Sequence, residues 1–296
     1  MYSKKNEIFY HFMLLPGIIF LIIFSVIPMG GIVMAFQNFN PAKGIFGSKF
    51  IGFGNFKRLF ILPDFWEILS NTLIISVSKI AIGMFVAVAF AILLNECRSK
   101  RLKKIVQTSV YLPHFLSWVI LAVMFSNVFS YTGMINKLVE ALGGEPTMFL
   151  ISNTWFRPIV ILGDVWKEFG YSAIIYVAAM TNIDPNLYEA ADIDGANRWK
   201  KILHITLPSI LSTIVLMTTL NMGSVLNAGF DQIFNLYSPL VYKTGDIIDT
   251  YVYRVGLINM QYSFGTAVGL FKSVISVVLL TVSYKLADKF VGYRIF

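Results

Sequence analysis

Charged side chains are scarce in this sequence of 296 residues. Only 14% of the residues are Asp, Glu, Lys or Arg, whereas an average soluble protein carries roughly 25%. At the same time, 56% of the residues are hydrophobic, which is more apolar surface than a soluble chain of this length can bury. The composition excludes an ordinary soluble domain and favours a protein whose solvent is largely lipid.

Cysteines and nucleotide-binding motifs are also lacking. The single cysteine, Cys97, excludes an intrachain disulfide and argues against a cysteine-based metal site. No G-x-x-x-x-G-K-[ST] phosphate-binding loop is present, so ATP hydrolysis would have to come from another chain. No nucleophile and base stand at a recognisable catalytic spacing. We therefore expect no enzymatic site, no metal and no cofactor in this chain.

Long apolar stretches are what the sequence has in abundance. Residues 12–36, 105–136 and 202–230 contain no Asp, Glu, Lys or Arg. About 20 helical residues cross the roughly 30 Å hydrocarbon core of a bilayer, so these stretches predict membrane spans. We predict an all-α membrane protein with about six transmembrane helices, at roughly 11–36, 71–95, 108–132, 158–182, 207–230 and 264–288.

The lysines and arginines predict the orientation in the membrane. The formal net charge is +8, and the basic residues lie mainly at the ends of spans, which indicates membrane topology rather than nucleic-acid binding. Cytoplasmic loops are enriched in Lys and Arg. We therefore predict a multi-pass protein of the cell membrane, a single transmembrane domain over 1–296 with core spans at about 71–288, and both termini in the cytoplasm. The densest basic loop, between spans two and three, contains Arg98, Lys100, Arg101, Lys103 and Lys104.

The cytoplasmic segment 184–208, between spans four and five, predicts a compact helix-turn-helix. Asp184 suits an N-cap and Pro185 suits the first helical position. Gly195 can adopt the positive φ that ends a helix. We predict a second, short amphipathic helix at about 197–204, followed by Pro208 at the start of the next span.

This segment resembles the EAA loop of the permease subunits of ABC importers. An EAA triplet is followed by D-G-A and then by I-x-L-P, the pattern of that loop. Leu15-Pro16-Gly17 and Tyr111-Leu112-Pro113 resemble carbohydrate-uptake permeases, and Gly229-Phe230-Asp231-Gln232 resembles their LplB-like branch. The matching positions of the loop are Glu189, Ala190, Ala191, Asp194, Gly195, Ala196, Ile205, Leu207 and Pro208.

The resemblance implies an ABC importer type I permease fold and a set of partners. In that family the EAA loop is a coupling helix that docks on the ATP-hydrolysing subunit. The resemblance implies a second, homologous permease subunit that forms a heterodimer with this chain. It also implies two copies of a cytoplasmic ABC ATPase, which bind ATP and Mg, and an extracellular or lipoprotein sugar-binding protein. The expected cargo is a sugar or an oligosaccharide.

Polar residues inside the predicted spans are candidates for contact with the sugar. Charged groups within a membrane are costly and need a reason. Spacing of i, i+3, i+4 and i+7 places the four candidates of span four on one helical face. Carboxylates, amides and aromatic rings can bind hydroxyls and pack on sugar rings. The candidates are Asp164, Lys167, Glu168 and Tyr171 in span four, with Asn221, Ser224, Asn227 and Asp231 in and after span five.

A structural role for the same residues stays open at this point. Asp164, Lys167 and Glu168 can form an ion pair, and the asparagines of span five can bond neighbouring helices. Lys79 can pair or extend to the interface, while Lys272 can line a cavity or pair with an acid.

Other functions also stay open on the sequence alone. The EAA loop does not exclude an ABC importer for a peptide, phosphate or spermidine. A stand-alone secondary transporter would be indicated by inverted repeats, and we find none in the sequence. An intramembrane enzyme would need a catalytic pair at membrane depth, for which Asp164 and Glu168 are the candidates.

Overall fold

The computed structural model describes the backbone of residues 4–291 and the side chains of residues 10–289. The described part is almost entirely helical. Contacts between residues divide the chain into two compact units. Unit 1 comprises Met1–Leu62 and Val252–Phe271, and unit 2 comprises Pro63–Tyr251 and Lys272–Phe296.

Unit 1 contains one helix of membrane length, Tyr10–Phe36. Pro16 lies inside this helix and Pro28 follows a π-helical turn, in line with the tolerance of membrane helices for proline. A short antiparallel hairpin follows, with Gln37 opposite Phe50. The elements are the helices Lys4–Leu21, Ile27–Met29, Gly44–Gly47 and Gly54–Ile61, the 3₁₀ helix Gly30–Phe36, the π-helical turns Ile22–Val26 and Tyr253–Ile258, and the strands Gln37–Asn38 and Lys49–Phe50.

Unit 2 is organised by two long helices that pack along each other, Pro63–Asn95 and Phe156–Thr181. Ala87 and Ala91 lie in one buried cluster with Ala173, and such small residues let membrane helices approach closely. The last helix, Tyr262–Val291, contributes to both units. The other α-helices are Lys100–Tyr111, Trp118–Val128, Met134–Ala141, Pro185–Ile193, Arg198–Lys201, Leu207–Gly223, Phe230–Leu236, Tyr242–Gly245 and Ile248–Val252. Short 3₁₀ or π turns lie at Leu112–Phe115, Phe149–Ile151, Ile202–Thr206 and Pro239–Val241.

Helical segments of the described chain account for the six predicted spans. A bent pair of helices provides one of them. Another is the 26-residue helix Phe156–Thr181, which is long enough to cross a bilayer although it carries Asp164, Lys167 and Glu168. The four remaining spans are both long and apolar: Tyr10–Phe36, Pro63–Asn95, Arg198–Gly223 and Tyr262–Lys289.

The third span differs from the continuous helix predicted at 108–132. Lys100–Phe115 and Trp118–Val128 meet at an angle of 102°. Pro113 lies in the 3₁₀ turn before the bend and has no N–H to continue a helical ladder. Ser117 then caps the second helix, because its hydroxyl accepts a hydrogen bond from the Ile120 N–H at 3.4 Å. Together these two residues end one helix and begin the next.

Gly170 permits the helix Phe156–Thr181 to pack closely against the first helix of this broken span. A Cβ at position 170 would lie 2.5 Å from the Val110 carbonyl oxygen, and a backbone atom cannot move aside as a side chain can. We expect Gly170→Ala to lower the free energy of unfolding by about 1–3 kcal/mol, the usual cost of overpacking. Thermal unfolding in detergent measures the effect. Gly17→Ala is the matched control, because nothing lies within 4 Å of a Cβ at that position; equal melting temperatures for the two variants would contradict the prediction.

Candidate functional site

A cavity of about 290 Å³ lies in unit 2 between the second span, the fourth span and the end of the fifth. Its apolar wall includes Met84, Phe169 and Tyr176. Its polar wall combines hydroxyls, amides, carboxylates and one ammonium group. The polar lining residues are Ser76, Lys79, Asp164, Glu168, Ser172, Asn221, Ser224 and Asn227.

Lys79 is the most enclosed charge of this cavity, with 9% of its surface exposed. Its ammonium group donates to Asp164 Oδ1 at 3.2 Å, to the Ala228 carbonyl oxygen at 2.8 Å and to Gln232 Oε1. Gln232 is fully buried and donates in turn to the Val160 carbonyl at 2.7 Å. A buried charge is tolerated when it is paired and its hydrogen bonds are satisfied, and this network meets both conditions.

Gly229 makes room for the Lys79 ammonium. Its φ is +95°, in the left-handed region that glycine adopts without steric cost. A Cβ at this position would lie 2.9 Å from Lys79 Nζ. The glycine that begins the helix Phe230–Leu236 therefore also lets the lysine reach Gln232.

Glu168 connects the cavity wall to the bend of the third span. One carboxylate oxygen lies 2.6 Å from His114 Nδ1, and the other accepts from Lys167 Nζ at 2.6 Å. Lys167 also donates to the His114 carbonyl at 2.9 Å. The ring of Tyr171 stacks on the His114 ring with a centroid separation of 3.8 Å. These four residues fix the 3₁₀ turn that precedes the bend.

Of the eight predicted sugar-contact residues, five line the cavity and three do not. The helical face predicted for span four is split, because Asp164 and Glu168 line the cavity while Lys167 and Tyr171 hold His114. Asp231 is exposed at the start of its short helix and does not line the cavity. The five predicted residues that do line it are Asp164, Glu168, Asn221, Ser224 and Asn227.

Sequence reasoning did not assign two members of the polar network to the site. For Lys79 it left open a pair or a position at the interface, and the structure shows the pair, with Asp164. Gln232 was not singled out as a site residue. The presence of one cation in the otherwise uncharged second span was the available signal for Lys79. Nothing in the spacing indicated Gln232, because it lies beyond the fifth span and reaches Lys79 only through the turn at Gly229.

The remaining intramembrane cation has a carboxylate partner. Lys272 pairs with Asp249, which resolves the alternative left open by the sequence in favour of an ion pair. Among the residues that the structure describes, no three His, Cys, Asp or Glu side chains gather where they could hold a metal ion.

The loop 184–208 has the helix-turn geometry that the sequence predicts. The carboxylate of Asp184 accepts from the Asn186 N–H at 3.0 Å and caps the helix Pro185–Ile193. Gly195 follows with φ +70°. The side chain of Asn197 then accepts from the Lys200 N–H at 2.9 Å and caps the next helix.

The second helix of the loop is not a separate short element, contrary to the prediction. It continues through a π-helical turn at Ile202–Thr206 into Leu207–Gly223, so one 26-residue span begins at Arg198. Pro208 lacks the N–H that an α-helical ladder requires, and the wider turn just before it accommodates this loss without ending the helix.

The loop presents apolar side chains that are exposed within the described part of the chain. Ile193 is 88% exposed and Trp199 is 72% exposed. The framework beneath them is braced by a 2.9 Å hydrogen bond between the Tyr188 and Thr206 hydroxyls and by the Lys201–Asp192 pair at 2.6 Å. Glu189 and Ala190 are exposed, while Ala191 and Ala196 are half-buried. Rimmed apolar surfaces of this kind mark sites of protein contact.

Comparison with known proteins gives consistent matches over the chain. The polygalacturonan/rhamnogalacturonan transport system permease protein YteP of Bacillus subtilis is 44% identical over 95% of this chain and 88% of its own length. Protein LplB of the same organism is 40% identical over 98% of this chain and 92% of its own length. These relatives confirm the resemblance to carbohydrate-uptake permeases and to the LplB-like branch.

Solved structures and a family model agree with these relatives. A crystal structure of a bacterial ABC transporter involved in the import of the acidic polysaccharide alginate matches with a TM-score of 0.90 at 39% identity, over 97% of each chain. This match confirms the type I permease fold. Residues 79–293 match the model of the binding-protein-dependent transport system inner membrane component. The chain therefore belongs to the family of inner membrane components of binding-protein-dependent transport systems.

Proposed function

We propose that this chain is the permease subunit of an ATP-driven importer that carries an oligosaccharide across the cell membrane. The observation that carries the proposal is the cavity among membrane-length helices, lined by hydroxyl, amide and carboxylate groups beside aromatic side chains. A sugar offers many hydroxyls and flat apolar ring faces, and this combination of groups binds both. The relatives support the same cargo class, because YteP is named for the transport of polygalacturonan and rhamnogalacturonan and the matched crystal structure belongs to an importer of alginate.

The sugar contacts are assigned to the cavity wall. Asp164 and Glu168 accept hydrogen bonds from sugar hydroxyls, and the amides of Asn221 and Asn227 both donate and accept. Ser224 adds a hydroxyl at the end of the fifth span. Lys167 and Tyr171 act through His114 as positioning residues, and Asp231 contacts sugar outside the cavity.

The loop 184–208 is assigned to the ATPase interface. Its exposed apolar residues dock on a cytoplasmic ABC ATPase, together with the carboxylate of Glu189. Gly195 makes the turn between the two helices. Two ATPase copies bind ATP and Mg, and a homologous second permease completes a heterodimer. The termini lie in the cytoplasm. The remaining loop contacts are Ala190, Ala191, Asp194, Ala196, Leu207 and Pro208.

The mechanism is alternating access. An extracellular binding protein delivers the sugar to the outer loops, and ATP binding closes the ATPase dimer. The coupling loops move with the ATPases, and the spans change between inward-open and outward-open states. Such a cycle needs a cargo and a nucleotide that bind the two states with different affinity.

Purification of the tagged chain from its own membrane tests the assembly. With mild detergent, we expect a second permease and an ATPase to co-purify with this chain at about one, one and two copies, because the sequence contains no phosphate-binding loop and the resemblance implies a second permease subunit. Quantitative mass spectrometry measures the ratio. Reconstituted complexes should then take up oligosaccharide only with ATP and the binding protein. A chain that purifies alone and moves solute without ATP would contradict the proposal.

A further inference from the structure

A second polar pocket, of about 250 Å³, lies within unit 1. Its volume is below the roughly 300–1,000 Å³ of pockets that enclose drug-sized ligands, so it suits one ring-sized unit rather than a chain. The pocket is formed where the segment after the hairpin strand meets the start of the last helix. The polar residues of its lining are Asn38, Asn55, Arg58, Gln261, Tyr262 and Ser263.

The charge of this pocket is positive and unbalanced. Arg58 is the one charged residue in the lining. Residues 10–62 and 252–271, the part of unit 1 whose side chains the structure describes, contain no Asp or Glu. The same ranges contain the cations Lys43, Lys49, Lys57, Arg58 and Arg254. An anion that enters this pocket therefore meets no competing carboxylate among the described side chains of unit 1.

The side chain of Arg58 contacts an aromatic ring at the pocket wall. Its guanidinium lies 4.8 Å above the centre of the Phe264 ring, and Phe264 is 2% exposed. Stacking on an aromatic face leaves the N–H groups at the edge of the guanidinium available. A guanidinium in this arrangement binds a carboxylate with two parallel hydrogen bonds.

Two side-chain oxygens of the same pocket are open to a ligand. Asn55 is 8% exposed, and its amide N–H groups donate to the carbonyls of Ala35 and Gln37 at 2.9 and 3.0 Å. Its Oδ1 accepts no hydrogen bond within the described residues. Gln261 Oε1 is buried and has no hydrogen-bond partner in the described part of the chain. An unpaired buried acceptor costs free energy, and ligand hydroxyls could donate to Gln261 Oε1 and to Asn55 Oδ1.

The remaining wall offers an aromatic ring and a constrained turn. The ring of Tyr262 contacts Phe39 edge to face, with centroids 6.1 Å apart. The Phe39 N–H donates to Ser263 Oγ at 2.8 Å, which ties the two segments of the pocket together. Met260 adopts φ +55°, which is unusual for a residue with a side chain. Strained backbone of this kind concentrates at ligand sites.

We propose that this pocket binds one uronate residue of an acidic oligosaccharide. Arg58 pairs with the carboxylate, Asn55 and Gln261 accept from ring hydroxyls, and Tyr262 packs on the sugar ring. The proposal rests on the proposed function and names a substrate class for it. Both pocket segments belong to loops that the sequence predicts to lie outside the membrane, where the binding protein delivers its sugar.

Equilibrium dialysis of trigalacturonate against the whole importer in lipid nanodiscs, without nucleotide or binding protein, tests this site. The methyl ester of trigalacturonate keeps the rings and lacks the charge. We expect Arg58→Gln to raise the Kd for trigalacturonate about tenfold, the size expected for a charged hydrogen bond, and to leave the Kd for the ester unchanged. Lys57→Gln is the matched control, because it removes the same charge from the same helix at an exposed position outside the pocket.

A second variant, Asn38→Asp, keeps the test valid if Arg58→Gln does not fold. Asn38→Asp places a negative charge on an exposed residue of the pocket and should weaken trigalacturonate binding while sparing the ester. The proposal fails if trigalacturonate does not bind the unaltered importer, or if Arg58→Gln and Lys57→Gln give the same Kd. It also fails if Arg58→Gln keeps its sugar affinity and loses only ATPase stimulation by the binding protein, since the pocket would then receive a protein carboxylate.

ATP-driven uptake of the ester into liposomes that contain the same complex, measured with the binding protein present, separates this inference from the proposed function. If uptake persists while Arg58→Gln and Lys57→Gln bind trigalacturonate with the same Kd, only the uronate site is wrong. If the unaltered importer takes up no saccharide with ATP and binding protein, the proposed function itself fails.

Discussion

Replacing Asp164 by leucine is expected to lower the free energy of unfolding by about 3–5 kcal/mol, the range for breaking a buried ion pair by removing one partner. Lys79 would then keep only the Ala228 carbonyl and Gln232 Oε1 as partners. Both are neutral, and the side chain of Lys79 is only 8% exposed. An unpaired cation among membrane helices is costly, so this single change removes much of the stability of a typical domain.

The double variant Lys79→Met, Asp164→Leu should recover most of that loss, because it leaves no buried charge behind. Equilibrium unfolding in mixed micelles, followed by tryptophan fluorescence, measures all three proteins. Lys137→Met controls for the loss of an exposed lysine. Equal stability of the Asp164→Leu protein and the double variant would show that Lys79 does not depend on Asp164.

Gly195→Pro is expected to uncouple ATP hydrolysis from transport. Proline fixes φ near −65°, whereas Gly195 has φ +70° and donates its N–H to the Asp192 carbonyl at 3.1 Å. A backbone strain of about 1–3 kcal/mol at a coupling element corresponds to roughly 5–150-fold in the equilibrium between states. Sugar uptake by reconstituted complexes should fall within that range, while basal ATP hydrolysis and membrane insertion persist.

The chain provides a closely matched control for this substitution. Gly143 also follows a helix, has φ +82° and donates its N–H to a carbonyl three residues earlier, that of Glu140, at 2.9 Å. Gly143→Pro makes the same backbone change outside the proposed coupling loop and should leave uptake within about twofold of the unaltered importer. Normal uptake by Gly195→Pro, or equal losses in both variants, would overturn the coupling role of the loop.

The membrane-spanning architecture was predictable because it depends on local composition. A run of about 20 apolar residues has few alternatives to a membrane helix, and the six predicted spans correspond to helical segments of the structure. The geometry of the loop 184–208 was predictable for a similar reason. Asp184, Gly195 and Asn197 act on backbone groups within three residues, so their effect does not depend on distant packing.

Residues with competing local signals were predicted less well. Pro113 and Ser117 bend the third span by 102°, although the same residues would be tolerated within a straight helix. Pro208 was expected to begin a span. Instead, the helix begins at Arg198 and continues past Pro208 after a π-helical turn at Ile202–Thr206. In both places contacts with neighbouring residues, which the sequence pattern does not contain, decide whether the helix breaks or continues near the proline.

By itself, the sequence determined that this protein is an all-helical membrane protein and that residues 184–208 form a helix-turn-helix, because hydropathy, caps and turn residues act over short distances. Only the tertiary structure decided which polar residues share a cavity. Asp164 meets Lys79 across 85 residues of chain and Gln232 reaches Lys79 across 153, while Lys167 and Tyr171, on the helix of Asp164, turn to His114. Helical spacing fixes which residues share a face, but the packing of other helices decides what that face contacts.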